Sequence, residues 1–361
     1  MKRSYLIAYT LNNVGDDLFI KIICERYPKI DFFIELDKEK NLALNKINNL
    51  HIINNKNFLF RLINKVGNVC FNEPIYSKKI ISHCESSILV GGSMFMEDIQ
   101  DNWKGNYKTY QRVKSWSDNF FVIGSNFGPY EHEAYKELYK SFFKKCNDVC
   151  FRDKYSAKEF ADQQNVRYAP DVVFNLKTSL HIKKKKVSVV PILLEGRGER
   201  DNYRERYERR LADVISKLVE YEGYDVSLLS FCRDEGDENA IVSIMNKVVS
   251  KYLEKIKIVY YRDDYEPIIY EIFESEAVIT SRFHGMILGW LGDTKVYPIV
   301  YNPKSLNAMN SLGFVGDYSS IDSTDPILLE TVFDKKQELN IKNISEEAEK
   351  QFTALDLFFG V

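Results

Sequence analysis

The feature that most restricts this chain is an alternation. Short runs rich in β-branched and aromatic residues are each followed by a stretch with helical periodicity. In the first half the candidate strands are 4–10, 31–36, 87–90, 120–123 and 148–151, with helices at 16–26, 106–117, 133–145 and 154–163. Runs that are apolar throughout, such as Ile88-Leu89-Val90, suit a parallel sheet covered on both faces. A polar tract over 177–186, ending in Lys183-Lys184-Lys185-Lys186, interrupts the pattern. The alternation then restarts, with strands at 187–193, 225–231, 257–261, 277–280 and 295–300 and helices at 202–220, 237–252, 265–273, 285–291 and 304–312. A last helical segment at 344–358 closes the chain. At 361 residues the chain is too long for one core of about 150 residues and fits about two domains. The expected fold is α/β, with two Rossmann-like domains facing across a cleft. The N-terminal domain covers 1–176, a linker 177–186, the C-terminal domain 187–343 and a closing helix 344–361. Ligands of such sheets lie at the carboxyl ends of the strands, so the loops there are where chemistry is sought.

Several classes are excluded early. Fifty Lys and Arg against 52 Asp and Glu leave a net charge of −2, which rules out nucleic acid as a partner for the chain as a whole. No apolar run approaches the ~18–20 residues of a membrane span. The apolar stretch after Met1-Lys2-Arg3 is too short for a signal peptide, so the expected location is the cytoplasm. The six Cys form no CxxC pair and read as buried free thiols, with no metal site among them. Most of the 23 Tyr and 23 Phe fall in predicted strands and helices, which assigns them to two cores rather than to a sugar platform. The tract 183–186 reads as a solvated linker or as a contact to phosphate or an anionic leaflet. The arginine-rich stretch 197–210 shares that second reading, although its acids equally suit an exposed helix laced with ion pairs.

Six loops after predicted strands hold the candidate chemistry. Asn12-Asn13-Val14-Gly15-Asp16-Asp17 reads either as a helix cap or as a loop that Gly15 lets approach a ligand. Gly91-Gly92-Ser93 leaves backbone N–H groups for an anion, and it is neither GxGxxG nor a Walker loop. Gly124-Ser125-Asn126-Phe127-Gly128-Pro129 repeats the pattern. Arg152, in Phe151-Arg152-Asp153-Lys154-Tyr155-Ser156, stands where a guanidinium projects from a strand end and grips a carboxylate or phosphate. The sharpest constellation is Thr280-Ser281-Arg282-Phe283-His284-Gly285. If the strand runs through it, Arg282 and His284 face the same side, a cation beside an imidazole. Lys304, in Tyr301-Asn302-Pro303-Lys304, follows the next strand.

In order and spacing these motifs resemble the polysaccharide pyruvyl transferase family over roughly 4–315. The family's Asn-x-Gly-Asp loop is matched by Asn13 to Asp16 and its Gly-Gly-Gly/Ser turn by Gly91-Gly92-Ser93. Its Gly-x-x-x-Gly-Pro loop is matched by Gly124 to Pro129, and Arg-Asp-x-x-Ser by Arg152 to Ser156. Ala-Asp-Pro has a looser counterpart in Ala169-Pro170-Asp171. Ser-x-Arg-(Leu/Phe)-His corresponds to Thr280 to His284 with the serine shifted by one, and Tyr-(Asp/Asn)-x-Lys to Tyr301 to Lys304. The chain departs from the pattern in lacking the glycines that many members carry before Asn13 and around 124–126, on the acceptor side.

The resemblance implies a GT-B-like fold and transfer of the enolpyruvyl unit of phosphoenolpyruvate onto two hydroxyls of one sugar, giving a pyruvate ketal and phosphate. Phosphoenolpyruvate is then a co-substrate and no cofactor is needed. The implied setting is bacterial surface or exopolysaccharide biosynthesis, with a saccharide acceptor that lipids can carry and a peripheral contact at the inner membrane face. The acceptor falls to the N-terminal domain and the donor to the C-terminal one. Arg152, Arg282 and Lys304, with the amide nest of Gly91, Gly92 and Ser93, are expected to hold the donor, and Phe283 to line it. Neighbouring anions would keep His284 protonated as general acid. Asn13, Asp16, Glu97, Asp98 and Asn126 are expected on the acceptor, with the three carboxylates as candidate bases. Two other readings stand beside this one: a nucleotide-sugar glycosyltransferase of the same architecture, and a non-catalytic saccharide-binding assembly protein.

Overall fold

The computed structural model describes residues 2–97, 102–179, 181–334 and 339–361. In the first half, β1 (Lys2–Ala8) lies between β2 (Ile30–Leu36) and β4 (Ser86–Val90), with β3 (Leu50–Asn54) beyond β2. β5 (Asn119–Ser125), β6 (Asp148–Phe151) and β7 (Val166–Tyr168) extend the sheet past β4, giving the order 3-2-1-4-5-6-7, parallel throughout. The second half repeats the scheme with β8 (Lys184–Val190), β9 (Asp225–Ser230), β10 (Ile256–Tyr260), β11 (Ser275–Thr280), β12 (Lys295–Val300) and β13 (Ser319–Ser320). Its order, 10-9-8-11-12-13, is the same winding, again all parallel. Strands buried on both faces, such as β4 and β6, carry the continuous apolar runs that such sheets require. Both sheets reverse winding beside their first strand, and the carboxyl ends there make the switch point where α/β sheets bind ligands.

The two sheets belong to two compact units. The first comprises Met1–Thr10, Asp16–Asn175 and Ile344–Val361, the second Leu11–Gly15 and Leu176–Asn343. Their cores differ in kind. The first is aromatic, centred on Phe95, Phe127, Tyr139, Phe143, Phe151 and Phe160. The second is built mainly of Val, Ile and Leu.

Three boundaries differ from the sequence reading. The expected linker over 177–186 is shorter, because β8 begins at Lys184. Its lysines are solvated only in part: Lys184 and Lys185 are exposed, Lys184 pairing with Glu274 at 2.8 Å, while Lys186 is buried and pairs with Glu271 at 2.9 Å. Lys183 donates to the carbonyls of Phe273 and Gly292 and to Thr294 Oγ1, and burial pushes its amine down to about 8. Lysine stems can line a strand when neighbouring acceptors meet their tips. Second, the loop 11–15 joins the second unit through Val14 N–H to the Phe231 carbonyl at 3.1 Å and the Cys232 thiol to the Leu11 carbonyl at 3.2 Å. Third, the closing segment is not one helix but Ile341–Ala348, a 3-10 turn Glu349–Phe352 and Thr353–Phe359. From residue 344 it belongs to the first unit, where Asp356 takes a bidentate Arg26 and the Tyr27 hydroxyl.

The arginine-rich stretch fits the reading of a helix laced with ion pairs, with the exposed Arg209 on Glu205 four residues before it, although Arg210 is buried. Arg210 donates to the carbonyls of Asp325 and Ser320, Arg206 to that of Asp322, and Arg204 pairs with Glu208. Five cysteines are buried free thiols, but Cys70 is exposed, contrary to expectation. Among the described residues no helix is long and apolar enough to cross a membrane.

Candidate active site

In the second unit β11 ends at Thr280 and helix Phe283–Leu291 starts three residues on. Thr280 Oγ1 makes the turn, accepting from Arg282 N–H at 3.1 Å and donating to the Arg282 carbonyl at 3.0 Å. A hydroxyl that hydrogen-bonds local backbone offers an alternative to the ladder, so the strand stops there. Arg282 is therefore the cap residue and His284 lies in the first helical turn. The expectation that both face one side of a prolonged strand is corrected.

The Arg282 guanidinium is buried and already gripped. Its Nε meets Asp237 Oδ2 at 3.0 Å, Nη2 meets Asp237 Oδ1 and Nη1 meets Glu235. Asp237 also accepts from the N–H groups of Phe231 and Cys232 at 3.0 and 2.9 Å. Arg197 reaches Glu235 at 2.9 Å. Burial acts to raise the Glu235 pKa, but Arg282 and Arg197 outweigh it and hold the carboxyl at about 2. Tyr301, just after β12, has the Arg197 and Arg200 guanidinium carbons 5.8 and 5.9 Å from its ring centroid. Arg200 Nε donates to its carbonyl at 3.1 Å. Burial would raise this phenol, yet Lys304, Arg282 and Arg197 reverse the effect, and it titrates below its ordinary value. Arg282 and Arg197 thus meet the carboxylates Glu235 and Asp237, while Arg197, Arg200 and Lys304 gather about Tyr301. The group follows the carboxyl ends of β8, β9, β11 and β12.

His284 is buried, its ring 5.3 Å from that of Phe283. A Cβ at Gly15 would overlap the imidazole, so only glycine lets the 11–15 loop lie on His284. Asn13 does not project toward a ligand: its Oδ1 accepts from Gly15 N–H at 3.0 Å and shapes that turn.

In the first unit the expected residues cluster differently. Arg152, at the end of β6, is buried, with Nη1 on Asp171 at 2.9 Å and Nη2 on Asn126 Oδ1 at 2.8 Å. A Cβ on Gly92 would overlap its guanidinium, so Arg152 covers one face of the Gly91-Gly92-Ser93 turn that was expected to hold an anion. Asn126 is taken up at both ends, its Nδ2 donating to the Gly128 carbonyl and its N–H to the Gly92 carbonyl. Asp153 caps the next helix through Ser156 N–H, and Ser156 Oγ accepts from Phe127 N–H at 2.8 Å. Gln351 closes the clasp from the C-terminal segment, bonding Gly124, Ala169 and Pro170. Glu97 takes the N–H groups of Glu131 and His132 and the His132 ring. Despite burial these bonds hold it below the ordinary carboxylate range, which makes it a poor base. Asp16 is buried near Gly91, where a Cβ would stand 3.6 Å from its Oδ1. Asp98 lies outside the described residues.

The sequence reading did not assign Arg197, Arg200, Glu235, Asp237 and Tyr301 to the site, nor Asp171. One signal was present: Glu195-Gly196-Arg197-Gly198 directly follows a strand and its buried apolar extension at the switch point. Among the described residues no group of three or more His, Cys, Asp or Glu is placed to hold a metal ion. The second-unit cluster can bind a small anion bearing more than one charge, next to a phenol and an imidazole able to move protons.

The chain is similar in fold to UDP-GlcNAc 2-epimerase of Methanocaldococcus jannaschii, at 10% identity, TM-score 0.57 and coverage of 99% of this chain and 100% of that one. It is similar to the S. aureus MnaA structure with UDP at 10% identity and TM-score 0.56, over 100% and 97% of the two chains. At that identity the likeness shows the fold alone, two parallel-sheet α/β units of GT-B-like type. No curated protein matches the chain by sequence. The family model for polysaccharide pyruvyl transferase matches residues 7–303, a span that contains Arg152, Asp171, Glu235, Asp237, Arg282, His284 and Tyr301 and ends one residue before Lys304. The chain belongs to the polysaccharide pyruvyl transferase family.

Proposed function

We propose that this protein transfers the enolpyruvyl unit of phosphoenolpyruvate onto two hydroxyls of one sugar, forming a pyruvate ketal and releasing phosphate. The observation that carries the reading is the group of cations around Tyr301: phosphoenolpyruvate carries a carboxylate and a phosphate, and Arg197, Arg200 and Lys304 supply positive charge there. Arg282, neutralised by Asp237 and Glu235, fixes the wall of the site, and Arg200 and Lys304 meet the donor.

His284 gives a proton to the donor's methylene carbon, which becomes the methyl group. The central carbon then carries oxocarbenium character, and a sugar hydroxyl adds to it and loses its proton. The second hydroxyl adds as the bond to the phosphate oxygen breaks, and phosphate leaves against the cations. With Glu97 tied to its loop, Asp16 and Asp98 are the candidate bases on the acceptor side. Arg152 acts as a positioning residue that joins the turns at Gly92 and Asn126 to Asp171. The acceptor is a saccharide, carried on a membrane lipid in a bacterial surface-polysaccharide pathway on the cytoplasmic side.

The test incubates the protein with phosphoenolpyruvate and a panel of saccharides, following phosphate release and the mass of a pyruvate ketal on the sugar. Both signals are expected with phosphoenolpyruvate and neither with nucleotide sugars. Glycosyl transfer from a nucleotide sugar, or saccharide binding with no turnover of either donor, would overturn the reading.

A further inference from the structure

The helix Phe58–Phe71 is amphipathic, yet it turns its apolar face outward. Its buried residues are Phe60, Asn64 and Gly67, a narrow stripe held against helix Ile75–Ile81. Asn64 Oδ1 accepts from the N–H groups of Tyr76 and Ser77, and a Cβ at Gly67 would press on the Glu73 carbonyl and Ile75. These contacts fix the rotation of the helix. Leu59, Leu62, Ile63 and Val66, at the spacing of one helical face, are left exposed, with Phe58 and Val69 alongside at 75% and 78%. A contiguous apolar face of this kind on a folded unit marks an interaction surface.

Charge decides what it meets. No acidic residue occurs between Glu39 and Glu73, while Lys40, Lys46, Lys56, Arg61 and Lys65 all fall in that interval. Arg61 and Lys65 are exposed beside the apolar face. An isologous contact between two copies would set these cations against one another. An anionic bilayer surface satisfies both halves of the pattern, taking the apolar side chains at the acyl boundary and the cations at its headgroups.

We propose that helix Phe58–Phe71 docks this protein on an anionic membrane surface. Of the lysine tract 183–186 and the arginines of 197–210, for which a membrane contact was one of two sequence readings, Lys183, Lys186 and Arg210 hold partners inside the second unit, while Lys184, Lys185 and Arg209 are exposed. The inference rests on the helix and not on the proposed reaction, so the two fail separately.

The test is vesicle flotation with the whole chain, on phosphatidylcholine alone and with phosphatidylglycerol added. Binding is expected only to the anionic vesicles and weakens as salt rises. Leu59→Gln with Val66→Gln, at exposed positions that leave the thermal midpoint unchanged, should weaken it at least tenfold, as should Arg61→Glu with Lys65→Glu. Phe58→Trp should shift its emission to the blue on anionic vesicles. Absence of binding by the intact chain, or binding indifferent to both double variants, overturns the proposal. So does a concentration-dependent dimer that Leu59→Gln with Val66→Gln dissociates, since the face is then occupied by a second copy.

Discussion

Arg152 and Arg282 occupy equivalent places, each just beyond the end of a parallel strand and each buried in a carboxylate's grip, yet their surroundings differ. Arg152 meets one carboxylate, Asp171, and one amide, Asn126, at hydrogen-bond distance, its charge also acts on the buried Asp153, and its plane lies on Gly92: the group joins turns together. Arg282 has two carboxylates, Asp237 and Glu235, of which Glu235 also takes Arg197, and Arg197, Arg200 and Lys304 gather about the neighbouring Tyr301. An arginine at a strand end is therefore not by itself an anion site. The balance of its neighbours decides whether it structures a loop or contributes to binding.

The largest effect that tests this contrast is on stability. Arg282→Ala and Arg152→Ala should each cost about 3–5 kcal/mol in urea unfolding, because each leaves a buried carboxylate uncompensated. Adding Asp171→Leu to Arg152→Met should recover most of the loss, since both members of that pair are then gone. The corresponding removal of Asp237 should not, because the N–H groups of Phe231 and Cys232 and the Glu235 carboxyl lose their partner as well. Equal recovery in the two units would break the comparison.

Next in size is chemistry. His284→Gln should lower kcat for ketal formation by about 10²–10⁴-fold while KM for phosphoenolpyruvate stays within a few-fold. A proportionate rise in KM with kcat unchanged would make His284 a binding group instead.

A smaller effect follows from Glu235. Its folded pKa of about 2 lies below the ordinary value of 4.5, so its contribution to stability is complete above the ordinary carboxylate range. That contribution is lost as pH falls from there toward about 2. Glu235→Gln should cost about 1–3 kcal/mol at neutral pH and flatten the acid limb of the stability curve. An unchanged limb would show that the Arg197 and Arg282 pairings carry no such linkage.

The smallest is a binding term. Arg200→Ala should raise KM for phosphoenolpyruvate about tenfold, the size of one charge-assisted hydrogen bond, and reduce the salt dependence of kcat/KM. Stability should hardly move. A similar change from Arg152→Lys would erase the distinction between the two arginines.

Much of the fold was legible, because apolar strands that are buried on both faces announce themselves as short continuous runs; β6 and β12 begin and end where the sequence placed them. The elements missed were those whose burial is partial or not apolar. β3 and β7 are edge strands of half-buried residues, and helix Phe58–Phe71 packs through an asparagine and a glycine. At the site, the motif residues stand at strand ends as read, but their partners were not legible. Asp237 lies 45 residues from Arg282 and Asp171 lies 19 from Arg152, separations that no local pattern encodes.

The sequence by itself determined the α/β alternation, the division into two halves and the positions where Arg152, Arg282, His284 and Lys304 leave their strands, because periodicity and turn chemistry are local. Only the tertiary structure decided which charges balance one another. It gave Lys183, Lys186 and Arg210 partners inside the second unit, laid Gly15 on His284, closed Arg152 into a clasp and gathered Arg197 and Arg200 around Tyr301. Pairing of charges depends on distance in space, and the crossing of a parallel sheet sets that distance independently of separation along the chain.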